Sequence, residues 1–491
     1  MKKNRSLFSI VLMIFLTGVT QILAVLKSSL VAGQFGASVE MDSYNLANSV
    51  VSFLFGFVAS AIPTIVIPEY INKKHIKQTN AFVTALYGGA AVIIALVFLL
   101  RFRIVAVFSG RDKEFINLTC EILLILLLSN LLFSLTYLTT AYFQCIEKYN
   151  IPKAISLISQ LFVVLVLLVS HNLTIIQYAW IISVGLLLNC VVDAVIALKN
   201  GWRYNLSFTF QDEKVKQMFV MFFPLVFSTG VYRVSLLVDS VIASRLEVGY
   251  LTVLGYSNQI AGIVNSLLVG NLLIYCYPKI IKHISYKDSK VEFWKQTSFF
   301  HLVIWFVIAA FSTVGREGIS ILFEHGKFSS SAATKVYVGA LIYIVGQQTN
   351  IVRDLMYRYF YALGDTKPAA SNSILVSFTN IVVSVILVSF IGFYGIILGT
   401  VIASFVSMVR FFMLFSRKIG LGESLRTIIK SLTTNIVIAL ITIVIVYLTK
   451  SLVLVESLVL CIFIFGIETV VVFVLLTVLI KKDIFAIIKS I

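Results

Sequence analysis

The sequence predicts an all-α integral membrane protein with about fourteen transmembrane helices. Of its 491 residues, 59% are hydrophobic and 12% are charged, about half the charged share of a soluble domain. Apolar runs long enough to cross a bilayer follow one another, with short polar loops between them. Backbone groups in hydrocarbon must be satisfied within the segment, and the alternating pattern of a β-barrel is absent. We therefore expect the runs to be α-helices.

The predicted spans follow the apolar runs in chain order. They are 7–32, 44–70, 80–101, 115–144, 152–171, 174–198, 216–243, 250–281, 292–314, 333–361, 368–391, 393–416, 426–449 and 453–480. Prolines inside three of these spans predict helix bends, because proline removes a backbone hydrogen bond. These prolines are Pro63, Pro68, Pro224 and Pro278.

An internal repeat relates spans one to six to spans seven to twelve. Thr17-Gly18-Val19 recurs as Thr229-Gly230-Val231, each near the start of an apolar run, and Tyr44 recurs as Tyr256 at the same offset. Each copy has an even number of spans, so both copies share one orientation and the repeat axis lies along the membrane normal. Two tandem six-span copies are typical of a transporter with a central site between its halves.

The repeat divides the chain into four parts. Residues 1–198 form a first six-helix lobe, 199–215 a polar cytoplasmic linker, and 216–418 a second six-helix lobe. Residues 419–491 hold two further helices without a repeat partner. This added pair is expected to face lipid or to line a groove for a hydrophobic tail.

The net charge of +17 is spread over alternate loops, with clusters at 2–5, 73–77, 417–430 and 481–489. This is the positive-inside pattern. It predicts a multi-pass membrane protein with both termini in the cytoplasm. The Lys/Ile-rich composition is typical of an AT-rich bacterial genome, so we expect the bacterial cytoplasmic membrane. The distribution favours membrane lipids over nucleic acid as a partner.

Two features fall on the predicted outer side. Cations of the 101–113 loop, among them Arg111, either snorkel from a helix end or contact an anionic head group. Asp42 precedes span two, where it lies at the outer mouth or caps the helix.

Motifs for catalysis, metal binding or nucleotide hydrolysis are absent from the sequence. The five cysteines include no C-x-x-C pair and the five histidines have no ligand spacing, so we predict neither zinc nor disulfides. Walker, H-E-x-x-H and G-x-S-x-G patterns are missing as well. We therefore expect a protein that is not an enzyme and carries no organic cofactor, driven by an ion gradient or the membrane potential.

Ionisable residues inside the spans point to a cavity. Lys27 and Asp239 occupy equivalent positions of the repeat, and Gln21 and Arg233 form the matching pair one and a half turns earlier. A charge at membrane depth is costly unless it faces a cavity or a partner. We expect these residues to line such a cavity; the alternative is that Lys27 and Asp239 snorkel at helix ends.

A second group of charges lies toward the cytoplasmic side of spans ten and twelve. Arg353 and Tyr357, or Asp354 and Arg358, are i,i+4 neighbours that can pair. Arg410 is expected to reach the membrane interface.

Two segments of the second half have the form of known sequence motifs. They are Leu322-Phe323-Glu324-His325-Gly326-Lys327-Phe328 and residues 360–368. The first resembles the L-F-E-x-G-x-F loop and the second the F-Y-A-L-G-D-T-x-x-P turn of the MurJ/MviN lipid II flippases, which belong to the multidrug/oligosaccharidyl-lipid/polysaccharide exporter superfamily. Further matching positions are Phe35-Gly36-Ala37, Asp42, Asn380 and 392–400. The resemblance runs along the whole chain and implies fourteen helices in two six-helix lobes plus two.

The resemblance implies a flippase that moves a polyprenyl-diphosphate-linked glycan from the inner to the outer leaflet by alternating access. A cationic cavity would hold the diphosphate and sugar, and a groove beside the last two helices would hold the lipid tail. Lys27 and Arg233 are the expected diphosphate contacts. The expected sugar or cavity contacts are Gln21, Asn48, Asn258 and Gln259.

Some family members also carry a sodium site. Asp239, Asn380 and Thr400 match its liganding positions, and Ser384 stands where the pattern has a second acid. The resemblance therefore implies a weak Na⁺ site.

Departures from the family pattern keep the substrate open. The pattern has cavity arginines where this chain has Gln21, Leu54-Phe55 and Asn258-Gln259. A lipid II-like precursor is the first expectation, with a capsular, exopolysaccharide or teichoic acid unit as the alternative. A drug/cation antiporter would need an acidic cavity. A polymer-linking enzyme would need clustered acids or a nucleophile at the outer face, and a scaffold would not need the buried Lys27 and Asp239. We expect a monomer.

Overall fold

The computed structural model describes residues 2–72, 75–266, 289–363, 365, 367–453 and 455–481. Within these ranges the regular elements are helices, and each of the fourteen predicted spans falls on helix over its described residues, apart from 134–135 and up to a few residues at the ends of other spans. Ten of these segments are long and apolar enough to cross a membrane. The predicted all-α membrane fold is thereby confirmed.

The helices follow one another with short connections. They are α1 (Lys2–Phe35), α2 (Val39–Asn72), α3 (Ile76–Ser109), α4 (Lys113–Phe133), α5 (Thr136–Cys145), α6 (Asn150–Val169), α7 (Ile175–Lys199), α8 (Glu213–Ser244), α9 (Tyr250–Val264), α10 (Ser289–Phe323), α11 (Ser330–Ala362), α12 (Lys367–Ile391), α13 (Tyr394–Lys418), α14 (Leu425–Leu452) and α15 (Leu458–Ile480). Pro278, at which the sequence predicts a bend, lies outside the described residues. Helix α2 continues through Pro63 and Pro68.

The fourth predicted span, 115–144, coincides with one segment of membrane length, Lys113–Cys145, in which a turn at 134–135 separates α4 from α5. The chain turns at Ser134, whose hydroxyl donates to the Leu131 carbonyl at 2.6 Å, and Thr136 donates to the Phe133 carbonyl at 2.7 Å. Tyr87 of α3 donates to the Ser134 carbonyl at 2.6 Å. Side chains that bond to nearby backbone compete with the helix, and this competition explains the break.

The chain forms two compact units. The first contains Met1–Thr252 together with Gly326–Phe328, and the second contains Val253–His325 together with Ser329–Ile491. Helix α8 therefore packs with the first unit, against α2 and α3. The division into lobes at 199–215, which rests on the repeat, stays a prediction.

The core of the first unit lies among α2, α3, α5 and α8. Phe82 is fully buried there and packs edge-on against Phe219, with ring centroids 5.0 Å apart. The segment between α7 and α8 is held on α3 by a hydrogen bond between the Thr84 and Tyr204 hydroxyls at 2.8 Å. The predicted polar linker is thus an ordered part of this unit.

In the second unit, α14 and α15 attach to α10 through polar contacts as well as apolar ones. Buried Asn435 donates to the Ser298 carbonyl at 2.8 Å, and the Lys450 ammonium donates to Glu317 at 2.6 Å. Interhelical hydrogen bonds of this kind fix helix pairs where apolar burial gives little driving force in lipid. The added helix pair is therefore anchored to α10 at specific positions.

Candidate functional site

The predicted site residues are distributed over both units. The first unit holds Gln21 and Lys27 on α1, Asn48 on α2, and Arg233 and Asp239 on α8. The second unit holds Asn258 and Gln259 on α9, Asn380 and Ser384 on α12, and Thr400 on α13.

A polar seam joins α2 and α8 in the first unit. Ser49 donates to the Ser240 hydroxyl at 3.0 Å, and Arg233 Nη1 donates to the Ser52 carbonyl at 3.3 Å. The Arg233 side chain crosses Gly56, where an added Cβ would lie 2.0 Å from Arg233 Nε. A glycine at this position is therefore what lets the guanidinium lie against the α2 backbone. The seam holds a half-buried cation in a defined place.

Lys27 lies half-buried on α1, eight residues before the helix ends at Phe35. Among the described residues, neither Lys27 nor Arg233 forms an ion pair with an acid. Cations in membrane-spanning helices without an acidic partner are costly unless a cavity or an anion compensates them. The first unit thus carries two positive side chains suited to an anionic ligand.

The predicted neutral contacts differ in exposure. Asn48 on α2 and Asn258 on α9 are exposed, whereas Gln21 and Gln259 are half-buried. Exposed amide groups can donate to and accept from sugar hydroxyls without rearrangement of the helices. Asn48 and Asn258 are therefore accessible, each within its own unit, and Gln21 and Gln259 are partly so.

Three of the predicted ion ligands meet in the second unit. The Asn380 Oδ1 atom accepts from the Ser384 hydroxyl at 3.0 Å and from the Thr400 hydroxyl at 3.2 Å. Gly399 brings α13 close to α12, because an added Cβ there would lie 2.2 Å from Ser384 Oγ. Oxygen donors suit a hard cation, so the chemistry of this trio fits Na⁺ in part. Both hydroxyls also lie 3.3 Å from the Ile396 carbonyl, which is a second acceptor for their protons.

The fourth predicted ligand, Asp239, is buried on α8 in the first unit. Across the described residues no cluster of three histidine, cysteine or acidic side chains suits a metal. The carboxylate of Asp239 and the three neutral oxygens thus belong to different units.

Asp42 is the centre of a buried network that the sequence did not reveal. It is 0% exposed and accepts from the Gly249 N–H at 2.8 Å, the Thr252 N–H at 3.0 Å and the Thr252 hydroxyl at 2.7 Å. Arg111 Nη2 donates to Asp42 at 3.2 Å, and Arg111 Nε donates to the Ser244 carbonyl at 2.6 Å. This network ties the start of α2 to the α3–α4 and α8–α9 loops.

Two expectations are corrected by this network. Asp42 does not cap α2, because it lies inside the helix, which begins at Val39. Ser38 precedes the helix, and its Oγ accepts from the Met41 N–H at 3.3 Å. Arg111 does not reach outward to a head group, because its guanidinium is bound by Asp42 and by backbone carbonyls. Neither partner could be read from sequence, since the two residues lie far apart in the chain.

The structure explains why the L-F-E-x-G-x-F loop has a glycine at position 326. Gly326 has φ +60°, and an added Cβ would lie 2.2 Å from the Gly33 carbonyl oxygen. The next residue, Lys327, donates its N–H to the same carbonyl at 2.8 Å. Gly36, also at positive φ, leaves room for the Lys327 carbonyl. Two motifs that are distant in sequence therefore pack together through glycine.

Glu324 of the same loop is held by hydrogen bonds in the second unit. The Ser320 hydroxyl donates to its carboxylate, and Arg316 pairs with it at 3.1 Å. The Ser320 bond, followed by contacts to Ser330 and Arg316, lowers the pKa of Glu324 to about 2. The loop thus begins with a carboxylate that stays ionised in mild acid.

The chain resembles curated proteins along most of its length. One relative, "Probable lipid II flippase MurJ" of Rickettsia prowazekii (strain Madrid E), is 23% identical over 417 residues, covering 81% of each chain. Another, "Lipid II flippase MurJ" of Burkholderia cenocepacia, is 23% identical over 408 residues, covering 78% of each chain.

Solved structures share the fold. "Lipid II flippase MurJ, inward closed conformation" superposes with a TM-score of 0.82 at 20% identity, over 97% of this chain and 100% of that one. An inward-facing multidrug resistance MATE family transporter of the MOP superfamily gives a TM-score of 0.67 at 11% identity, over 82% and 95% of the two chains. The family model described as "Lipid II flippase MurJ" matches residues 31–466. The chain therefore belongs to the lipid II flippase MurJ family.

Proposed function

We propose that the chain is a flippase that moves a polyprenyl-diphosphate-linked cell-envelope glycan precursor, of which lipid II is the first candidate, across the membrane by alternating access. The observation that carries the proposal is the pair of half-buried cations in the first unit, Lys27 and Arg233, which have no acidic partner among the described residues. A diphosphate offers the negative charge that would pair with these two cations. Family membership supports the same substrate class.

The two cations have different tasks in this proposal. The Arg233 guanidinium packs over Gly56 and presents N–H donors in one plane. This geometry matches two oxygens of one phosphate. Lys27 presents a compact ammonium on a flexible stem, which suits a point contact with the same group. Gln21, Asn48, Asn258 and Gln259 would contact the sugar or line the cavity. No bond is broken in this cycle, so we propose transport without a catalytic step.

Charge reversal at Lys27 tests the proposal. Lys27→Glu should abolish appearance of the precursor in the outer leaflet, because it places an anion opposite the diphosphate. Lys27→Arg, which keeps the charge, should retain activity. Lys153→Glu makes the same charge change on an exposed side chain and serves as the control. Normal transport by Lys27→Glu at equal membrane abundance would contradict the assignment.

A related glycan is the second candidate substrate. The positions at which the family pattern has cavity arginines are Gln21, Leu54-Phe55 and Asn258-Gln259 here, so the cavity carries less positive charge than that pattern. This difference favours testing a capsular, exopolysaccharide or teichoic acid unit beside lipid II. Following each carrier-linked glycan after depletion of the protein separates the two.

Ion coupling is a further part of the proposal. Asn380, Ser384 and Thr400 would supply neutral oxygens to Na⁺ and Asp239 a carboxylate; the membrane potential is the alternative driving force. Asp239→Asn should then weaken the sodium dependence of transport. Transport that is independent of sodium, and unchanged in Asp239→Asn, would exclude this part.

The protein is a multi-pass membrane protein. We propose that both its termini lie in the cytoplasm, as the basic loops indicate, and that it works as a monomer. Labelling of single cysteines introduced near either end, with a reagent that does not cross the membrane, would test the orientation.

A further inference from the structure

Three helix ends of the second unit carry an excess of positive charge. Helix α11 ends at Ala362, α12 begins at Lys367 and α13 ends at Lys418, so these ends share one membrane face. Their cations are Arg353, Arg358, Lys367, Arg410, Arg417 and Lys418, and their acids are Asp354 and Asp365.

The two acids are already paired. Arg353 Nη2 lies 2.8 Å from Asp354, and its Nε donates to the same oxygen at 2.9 Å. Lys418 lies 3.5 Å from Asp365. Both carboxylates are therefore neutralised by neighbours, and neither forms an ion pair with Arg410.

Asn372 joins the cluster as a buried connector. It is 1% exposed, and its Nδ2 donates to the Tyr357 hydroxyl at 2.9 Å and to the Ser407 hydroxyl at 2.7 Å. Its Oδ1 accepts from Arg410 Nη1 at 3.1 Å. A fully bonded, buried amide of this kind holds its partner in one orientation. The Arg353 guanidinium in turn lies over the Tyr357 ring, with its Cζ atom 5.5 Å from the ring centroid.

Arg410 is held on one side and open on the other. Its Nη1 donates to Asn372 and, at 3.5 Å, to the Ser371 carbonyl, while its Nη2 donates to the Ser371 hydroxyl at 3.1 Å. A guanidinium has five N–H groups. Within the described part of the chain, the Nε–H and one Nη2–H of Arg410 make no hydrogen bond. These two form a fork.

The position of Arg410 makes this fork significant. Its Cα lies eight residues, about 12 Å, before the end of α13 at Lys418, but its guanidinium bonds to Ser371, which is four residues, about 6 Å, from the start of α12 at Lys367. Head groups occupy about 5–7 Å on each side of the hydrocarbon. The guanidinium therefore lies close to the level of lipid phosphates, whose oxygens can reach its two remaining N–H groups.

We propose that Arg410, positioned by Asn372 and Ser371, binds a phosphate group through its Nε–H and Nη2–H fork, and that the usual ligand is an anionic phospholipid of the adjacent leaflet. Arginine matches two phosphate oxygens in one plane, which a lysine cannot do. A diphosphate carried by a polyprenyl substrate offers the same oxygens and is the second source. The binding step does not depend on the proposed transport.

Binding to the purified full-length protein tests the proposal. Native mass spectrometry would measure the affinity for a short-chain phosphatidylglycerol, a phosphatidylcholine and farnesyl diphosphate. The variants are Arg410→Gln, Arg410→Lys and, as the matched control, Arg417→Gln. Arg417 is exposed and lies about two turns further along the same helix.

The expected result is a preference for phosphatidylglycerol that Arg410→Gln weakens about tenfold or more, in line with the loss of charge-assisted hydrogen bonds. Arg410→Lys should fall between Arg410→Gln and the wild type, and Arg417→Gln should bind like the wild type. If Arg410→Gln loses only farnesyl diphosphate, the phosphate site stands with the substrate as its source. Binding of both anionic probes unchanged in Arg410→Gln, or no binding by the wild type, would overturn the proposal.

The same assay separates this inference from the transport proposal. Lys27→Glu should keep the binding of phosphatidylglycerol, because Lys27 is not one of the residues that hold the Arg410 guanidinium. Loss of transport with retained binding would therefore leave the Arg410 site intact.

Discussion

Replacement of Asp42 by alanine should destabilise the first unit strongly. The carboxylate is 0% exposed and accepts from the Gly249 N–H, the Thr252 N–H and hydroxyl, and Arg111. Alanine removes every one of these acceptors and leaves the guanidinium of Arg111, which is 13% exposed, without its acid.

The magnitude follows from the kind of interaction lost. Removing one partner of a buried ion pair costs about 3–5 kcal/mol, since the remaining charge is left uncompensated. Each buried N–H without an acceptor costs about 1–3 kcal/mol, although these costs overlap with the first and do not simply add. We expect a loss of about 3–5 kcal/mol for Asp42→Ala. Asp42→Asn keeps the shape and one acceptor oxygen, so its loss should be smaller.

The assay is thermal unfolding of the detergent-solubilised full-length protein, followed by size-exclusion chromatography with fluorescence detection. Glu40→Ala is the matched control, because Glu40 is an exposed acid in the same helical turn. The expected order of stability is wild type and Glu40→Ala, then Asp42→Asn, then Asp42→Ala. If Asp42→Ala melts like Glu40→Ala, the network does not stabilise the fold as argued.

Three further outcomes are expected. Gly326→Ala should lower the melting temperature, because the added Cβ would lie 2.2 Å from a backbone carbonyl oxygen. The φ of +60° also disfavours a side chain there, at a cost of about 1–2 kcal/mol. Gly318 has open space around it, so Gly318→Ala should leave the melting temperature unchanged. The pKa of Glu324 is lowered from 4.5 to about 2, so its stabilising contribution should be present above pH 4.5 and be lost as the pH falls toward 2. Glu324→Gln should remove that part of an acid-unfolding curve. Gly56→Val should displace the Arg233 guanidinium and reduce transport, measured as precursor in the outer leaflet, without changing membrane abundance.

Helix positions could be predicted from the sequence because apolar runs of membrane length are separated by polar loops. The break between α4 and α5 could not, because it depends on hydroxyls of Ser134 and Thr136 that bond to backbone inside an apolar run. Serine and threonine are common within spans and usually leave the helix continuous. The break therefore has no clear signal in the sequence.

The polar partners were harder to predict than the helices. Lys27, Arg233 and Asp239 stand out because charges inside apolar runs are rare. The partner of Asp42 does not stand out, since Arg111 belongs to a loop rich in cations and the pairing depends on how α2 meets the α3–α4 loop. Composition identifies costly charges, whereas tertiary packing decides which of them are paired.

Depletion of this protein in its host would show which glycan it moves, when lipid II and other carrier-linked glycans are followed on both faces of the membrane. Lipid II should accumulate on the cytoplasmic face. Wild-type protein should restore lipid II to the outer face, and Lys27→Glu at equal abundance should not. Unchanged lipid II in the outer leaflet after depletion, with a different surface polymer lost, would contradict lipid II as the substrate. Unchanged distribution of every glycan would contradict the flippase function itself.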